Sequence, residues 1–252
     1  MKKSNNAIFM TCIYEEITWQ ANSIKLYEEY CDRNNIDFVL ITKDYMDDSL
    51  WIYEPCMLKY YSMYKARDSE YDNIMFVDAD TFINPNSCDV FSDFKGGLSI
   101  RFFPVSERYA EQEFLEGKEW KLYEFLVIKN ILGDIDYYYN CWGTLYMFDR
   151  KTLADFLDYV EIVGSAPKIK NKKTVEGYSL IDHHFIGQQR YEFTDQVNLS
   201  LFMSSNRDIC NHHHWEHSVA TQSSQGDWTQ FLDFYDCDNE EDITREMNKW
   251  VG

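Results

Sequence analysis

Three short apolar runs, Ala7–Cys12, Phe38–Ile41 and Ile74–Val77, alternate with two amphipathic stretches, and this alternation limits the possible folds more than any other feature. Apolar runs this short, bounded by turn signals, fit strands buried on both faces better than helices. Between the first two runs, Ile17, Ala21, Ile24, Tyr27 and Cys31 recur at helical spacing, and Asn34-Asn35 closes the segment. Between the second and third, Met57, Tyr60, Tyr61 and Tyr64 mark another amphipathic helix, followed by the turn signal Asp72-Asn73. Strand–helix–strand–helix–strand with short joints predicts parallel strands joined by right-handed crossovers, an α/β fold.

After residue 95 the pattern loosens. Leu98–Phe103 and Thr144–Phe148 read as strands, and 118–132 and the Leu153, Phe156, Leu157, Val160 series as helices. The basic run Lys168–Lys173 is expected to be a loop, and the acidic tail beyond Asp227 is expected to end in a helix. The chain has no internal repeat and no low-complexity linker, and 252 residues fit one large domain.

Composition removes several functions. Lys and Arg number 24 against 43 Asp and Glu, a net charge of −19. Such a chain cannot neutralise phosphates as a general nucleic-acid binder does, and an anionic membrane repels it. With 45% hydrophobic and 17% aromatic residues it is no acidic disordered chain. No stretch approaches the roughly 20 apolar residues of a membrane span, and no signal-peptide core follows the short basic start. The 7 Cys are scattered without a Cys-x-x-Cys pair, which reads as buried free thiols in a reducing compartment. A cytoplasmic location is the expectation.

Asp-x-Asp occurs as Asp78-Ala-Asp80, Asp134-Ile-Asp136 and Asp236-Cys-Asp238. The last lies in the acidic tail, and the second follows Gly133 as in a turn. Only the first directly follows a buried strand, and ligands of open α/β sheets bind at the carboxyl ends of such strands. Two carboxylates so close there converge on a hard cation or a proton, since an uncompensated pair is costly to bury. All 6 His lie between residues 183 and 217, with His212-His-His214 after an apolar stretch. One imidazole with carboxylate and phosphate oxygens suits Mn²⁺, with Mg²⁺ second, and suits Ca²⁺ poorly. Asp182, just before His183-His184, fits an acid, a base or a helix cap. Phosphate-loop, dinucleotide-binding and Gly-x-Ser-x-Gly patterns are absent.

Tyr71–Pro85, YDNIMFVDADTFINP, resembles the GT-A fold nucleotide-sugar glycosyltransferases, in particular the glycogenin-like and galactosyltransferase-like group with its Asp-Ala-Asp-Thr block. Further blocks match in order. Phe9–Tyr14 resembles the first strand, whose end cradles the nucleotide base, and Lys59 matches a lysine near the donor. Tyr139–Gly143 resembles an Asn-Ser-Gly segment, Glu176–Asp182 a Gly-Gly-Asp-Gln segment, and Cys210–His212 the final strand ending in a metal ligand. The family's His-x-x-Gly-x-x-Lys-Pro-Trp ending is replaced here by His-His-His-Trp-Glu-His, without its diphosphate-binding lysine.

The resemblance implies an α/β, GT-A, single Rossmann-like domain over 1–252, with a central mostly parallel sheet flanked by helices and a mixed C-terminal part. About 1–95 would bind nucleotide and about 96–252 would complete the metal and acceptor sites. It implies a glycosyltransferase taking a nucleoside diphosphate sugar, UDP-sugar favoured, to a carbohydrate or other hydroxyl acceptor, with retention. Asp78, Asp80 and His212 would be metal ligands, with His214 the second choice of histidine. Thr11 and Tyr14 would contact the base; Lys59, Asn140 and Gly143 would lie about phosphate and sugar; Asp182 would stand beside the anomeric centre. Three rival readings exist: a haloacid-dehalogenase-type phosphatase with Asp78 as nucleophile, an inactive sugar-nucleotide- or glycan-binding module, and a purely structural domain, which would leave the carboxylate pair at a buried strand end unexplained. The phosphatase motif also needs a later Gly-Asp-x-x-x-Asp, and here Tyr138 stands at its last position.

Overall fold

The computed structural model describes residues 4–12, 18–42, 55–116, 119–164, 171–175, 178–184, 192–193, 195–212, 217–219 and 231–233. The N-terminal part runs β1 (Asn6–Thr11), α1 (Thr18–Asn34), β2 (Asp37–Ile41), α2 (Pro55–Arg67), β3 (Asn73–Asp78) and β4 (Thr81–Ile83). It continues through β5 (Leu98–Ser106), α3 (Glu107–Leu115), α4 (Glu119–Leu132), β6 (Tyr137–Asp149) and α5 (Arg150–Gly164). The last part holds β7 (Asn171–Val175), β8 (Tyr178–His184), β9 (Glu192–Phe193), α6 (Asp195–Ser205), β10 (Cys210–His212), β11 (His217–Val219) and β12 (Phe231–Asp233).

The central sheet has 6 strands in the order β10-β5-β6-β3-β1-β2. β1 is parallel to both β2 and β3, as the alternation predicts. β6 is antiparallel to its neighbours β3 and β5, and β10 lies parallel to β5 at the edge. Five strands therefore point one way and only β6 runs against them. One continuous row of register partners crosses the sheet: His212, Ile100, Tyr146, Phe76, Phe9 and Val39.

Helices cover both faces. Tyr60, Tyr61, Met63 and Tyr64 of α2, Phe156 of α5 and Phe202 of α6 pack with Phe9, Phe76 and Tyr146 on one face. Leu26, Tyr27 and Tyr30 of α1 pack with Ile8, Met75 and Val77 on the other. A smaller core joins Ala110 of α3 and Phe125 and Ile128 of α4 to Tyr138. The first core is knit by aromatic pairs such as Phe76–Tyr146 and Phe148–Phe156, with centroids 5.5 and 5.4 Å apart. Each such pair adds about 1 kcal/mol beyond its buried area. α1 ends where expected: Asn35 takes φ 54°, the left-handed cap conformation Asn tolerates, and Ile36 N–H closes the end on Cys31 O at 2.9 Å.

Several expectations need correction. Thr144–Phe148 is only the end of the 13-residue strand β6. Its first half, Tyr-Tyr-Tyr-Asn-Cys, carries no period-2 contrast because the exposed Tyr137 and the half-buried Tyr139 are as aromatic as the buried Tyr138 between them. The basic run is not all loop, since Asn171-Lys-Lys173 belongs to β7, paired with β8. α3 and α6 were not foreseen; α3 starts on the Ser106 cap, whose hydroxyl accepts Tyr109 N–H at 3.2 Å. The side chains of Cys12, Cys31, Cys141 and Cys210 are buried, but Cys88 is exposed. Tyr14, His214 and residues 234–252 of the acidic tail lie outside the described residues, while Phe231–Asp233 of that tail form β12. Among the described residues no helix is long and apolar enough to cross a membrane.

Candidate functional site

Asp78 is the last residue of β3, and Ala79-Asp80 form the turn into β4. The apolar strand delivers the carboxylates: Ile74–Val77 are buried, so the chain emerges from the sheet at its first charged residue. Thr11, the end of β1, is the register partner of Asp78. The turn is braced from behind, where Ser23 of α1 donates its hydroxyl to Thr81 O at 3.0 Å.

Lys59 of α2 closes the site from the first core face. Its ammonium lies 2.7 and 2.8 Å from the two carboxylate oxygens of Asp78 and donates to Gly143 O at 3.0 Å. Both side chains are about four-fifths buried, so this ion pair is screened far less than a surface one. Gly143 is available because β6 breaks there. Ile100 pairs with Tyr146 but Phe102 pairs with Cys141, so residues 142–145 bulge from the ladder with β5. Val77 pairs with Leu145, which brings Thr144 and Gly143 to the level of Asp78.

Among the buried polar atoms without hydrogen-bond partners in the described residues, Thr144 Oγ1 lies within this break, Asn140 Oδ1 two residues before it, and Thr81 Oγ1 just past the Asp78-Ala-Asp80 turn. Native interiors satisfy nearly all such atoms, and exceptions concentrate where a ligand or ion completes the set. One carboxylate oxygen of Asp80, Oδ1, is also shielded from solvent. The paired carboxylates are hard oxygen donors suited to a divalent cation. Among the described residues no group of three His, Cys, Asp or Glu side chains converges into a metal site. β10 carries the expected third ligand, His212, opposite Ile100, with two strands between it and β3; its side chain lies outside the described residues.

The structure thus unites Asp78, Lys59 and Gly143, aligns Thr11 with them, and sets Asp80 in the adjoining turn. Asn140 has surroundings other than those expected. It is fully buried, and its Nδ2 donates to Glu124 Oε1 at 2.6 Å, beside the Tyr138 hydroxyl at 3.4 Å. Burial, reinforced by the Glu124 carboxylate, drives the Tyr138 phenol well above its ordinary range. Asn140 thereby ties β6, two residues before the bulge, to α4. Glu124 was missed; an acid within the apolar stretch 122–128 of that helix was the available signal. Asp182 lies in β8, opposite Asn171 of β7, and its side chain is outside the described residues.

No protein-family model matches the chain, and no curated protein matches it. Solved structures do. A glycosyltransferase involved in the glycosylation of the major capsid of PBCV-1 is similar over 96% of this chain and 98% of its own, at 11% identity and a TM-score of 0.53. The galactosyltransferase LgtC, solved in complex with donor and acceptor sugar analogs, is similar over 98% of this chain and 96% of its own, at 11% identity and a TM-score of 0.48. The first likeness, end to end at low identity, is one of fold: this chain has the mixed α/β, GT-A architecture of a known glycosyltransferase.

Proposed function

We propose that the chain is a metal-dependent glycosyltransferase that moves a sugar from a nucleoside diphosphate sugar, UDP-sugar favoured, to a hydroxyl of a glycan or other acceptor, with retention. The observation that carries this reading is the Asp78-Ala-Asp80 turn at the carboxyl end of β3, flanked by Thr11 and clamped by Lys59 against the bulge of β6. The unsatisfied polar atoms near that turn and bulge support a ligand-binding role.

Asp80 and His212, with His214 as the alternative, are the proposed direct ligands of Mn²⁺ or Mg²⁺, and Asp78 adds one oxygen or holds the ribose. When bound, the ion acts as a Lewis acid toward the leaving diphosphate. Lys59 holds the Asp78 carboxylate fixed in direction, and its positive charge favours the donor phosphates. Thr11 and Tyr14 contact the base, and Gly143 lets the donor approach the backbone. Asp182 holds a sugar hydroxyl or steadies positive charge at the anomeric centre; β8, which carries it, runs beside the helix of Lys59. Asn140 and Glu124 tie β6 to α4 just before the bulge.

Calorimetric titration of UDP and GDP, with Mn²⁺ and then with EDTA, tests this. Micromolar binding of one nucleotide that EDTA abolishes is the expected result, followed by hydrolysis of one sugar derivative of that nucleotide. Absence of binding for both nucleotides in both conditions overturns the reading.

A further inference from the structure

Past the bulge, β5 and β6 carry a cluster that the proposed donor site does not use. The guanidinium carbon of Arg207 lies 4.6 Å from the ring centre of Phe102 and 4.7 Å from that of Tyr139. Phe102 meets Tyr139 edge to face at 5.3 Å, and Tyr139 meets Tyr137 edge to face at 5.5 Å. The Arg207 guanidinium beside it, with the Tyr137 hydroxyl second, holds the Tyr139 phenol below its ordinary range. Tyr137 is 50% exposed, among the most exposed large rings of the described residues, and Arg207 is exposed beside it.

The position of the cluster is as informative as its composition. Because β6 runs against the other strands, its beginning lies at the carboxyl ends of β3 and β5, the end that holds Asp78. Tyr139 is four residues before Gly143, about 13 Å at the rise of an extended strand. Phe102 is two residues beyond Ile100, the register partner of His212. Phe102 and Tyr139 pack on the same core as Phe76 and α2, the face from which Lys59 reaches Asp78.

We infer that Tyr137, Tyr139, Phe102 and Arg207 form a platform for an uncharged sugar ring of the acceptor glycan, a subsite that extends the donor site along β6. The designation as acceptor subsite rests on the proposed function. Aromatic faces and edges match the C–H face of a pyranose, and tyrosine supplies this area with little loss of side-chain freedom. Arg207 stacks on the rings and also donates to Cys210 O at 3.2 Å, so it braces the platform rather than offering a fork to an anion. The net charge of −19 works in the same direction, disfavouring anionic glycans.

The test titrates neutral trisaccharides (maltotriose, cellotriose, chitotriose and globotriose) into the whole chain and reads saturation transfer from protein to sugar protons. Tyr137→Ala should raise the dissociation constant of the binding sugar about tenfold, the loss of one stacked ring, while Tyr137→Phe should stay near wild type. In tyrosine-labelled protein, the ring resonances of Tyr137 and Tyr139 should shift as the sugar is added, which needs no variant. No saturation transfer to any of the four sugars, equal affinity in Tyr137→Ala, or unmoved ring resonances overturns the inference. UDP affinity should be the same in wild type and Tyr137→Ala. Sugar binding without UDP binding in the wild type would overturn the donor reading and leave the platform standing.

Discussion

Lys59 holds both carboxylate oxygens of Asp78, at 2.7 and 2.8 Å, and the same ammonium donates to the carbonyl of Gly143. One side chain thereby ties a helix, the end of a parallel strand and the bulge of an antiparallel one. Lys59→Met keeps the aliphatic stem and removes the charge, leaving a largely buried carboxylate without its cation. That costs about 1–3 kcal/mol, visible as a lower melting temperature. Because the same change releases Asp78 from its fixed direction, UDP affinity with Mn²⁺ should fall at least tenfold. An unchanged melting temperature together with unchanged UDP affinity would remove the clamp from the site.

Gly97 determines where β10 lies. Its φ is +79°, and a Cβ there would stand 2.2 Å from Ile209 O, one residue before the strand that ends in His212. Gly97→Ala must therefore both strain its own backbone and push that strand off β5. The expected cost is about 2–3 kcal/mol. Metal affinity, measured by calorimetry on the folded fraction, should drop by more than in Gly133→Ala. That second glycine also has positive φ, +92°, but nothing lies within 4 Å of its added Cβ. Equal metal affinity in the two variants would mean that the register of β10 does not govern the ion site.

Asn140→Asp tests the buried pair just before the bulge. It would set a second carboxyl 2.6 Å from that of Glu124, in a place with almost no solvent. Two carboxylates there cannot both ionise, so one must keep a proton and its folded-state pKa must rise. A raised carboxyl pKa gives stability that is present below about pH 4 and lost as pH rises. The variant should thus be destabilised by about 2–4 kcal/mol at pH 7, and the deficit should shrink by pH 5, read from urea unfolding at both values. A deficit that does not change with pH would show that Asn140 and Glu124 are not electrostatically coupled.

How much of this was legible depended on the range of the interaction. Asp78-Ala-Asp80 was visible because its meaning is local: an apolar run followed at once by two carboxylates. The strands at Ala7, Phe38 and Ile74 were legible for the same reason, since burial on both faces leaves an unbroken apolar string. Lys59 could be picked out, but not its hold on Gly143, because 84 residues separate them and the contact needs the bulge in β6. The bond from Asn140 to Glu124 was not legible, because Glu124 stands in the apolar middle of a helix 16 residues away. The Arg207 platform joins residues about a hundred positions apart, and no periodicity announces such a meeting.

Cys210 gives an alkaline counterpart to these tests. Burial pushes its thiol up from an ordinary 9.0 to about 12, opposed only in part by the nearby Arg207. From pH 9 upward the unfolded chain loses a proton that the folded chain keeps. Stability is therefore whole below pH 9 and declines between 9 and 12. Cys141, fully buried, is raised as well and adds to the decline. Cys210→Ala removes one contributor, so its urea midpoint should fall less steeply between pH 8.5 and 10.5 than that of wild type. The packing lost with the sulfur affects both pH values alike, so the slope, not the midpoint, carries the result. Identical slopes would mean that the thiol reaches solvent before it ionises and that β10 opens from the sheet edge at alkaline pH. An opening of that kind would move the strand bearing His212, and metal affinity should then weaken over the same pH range.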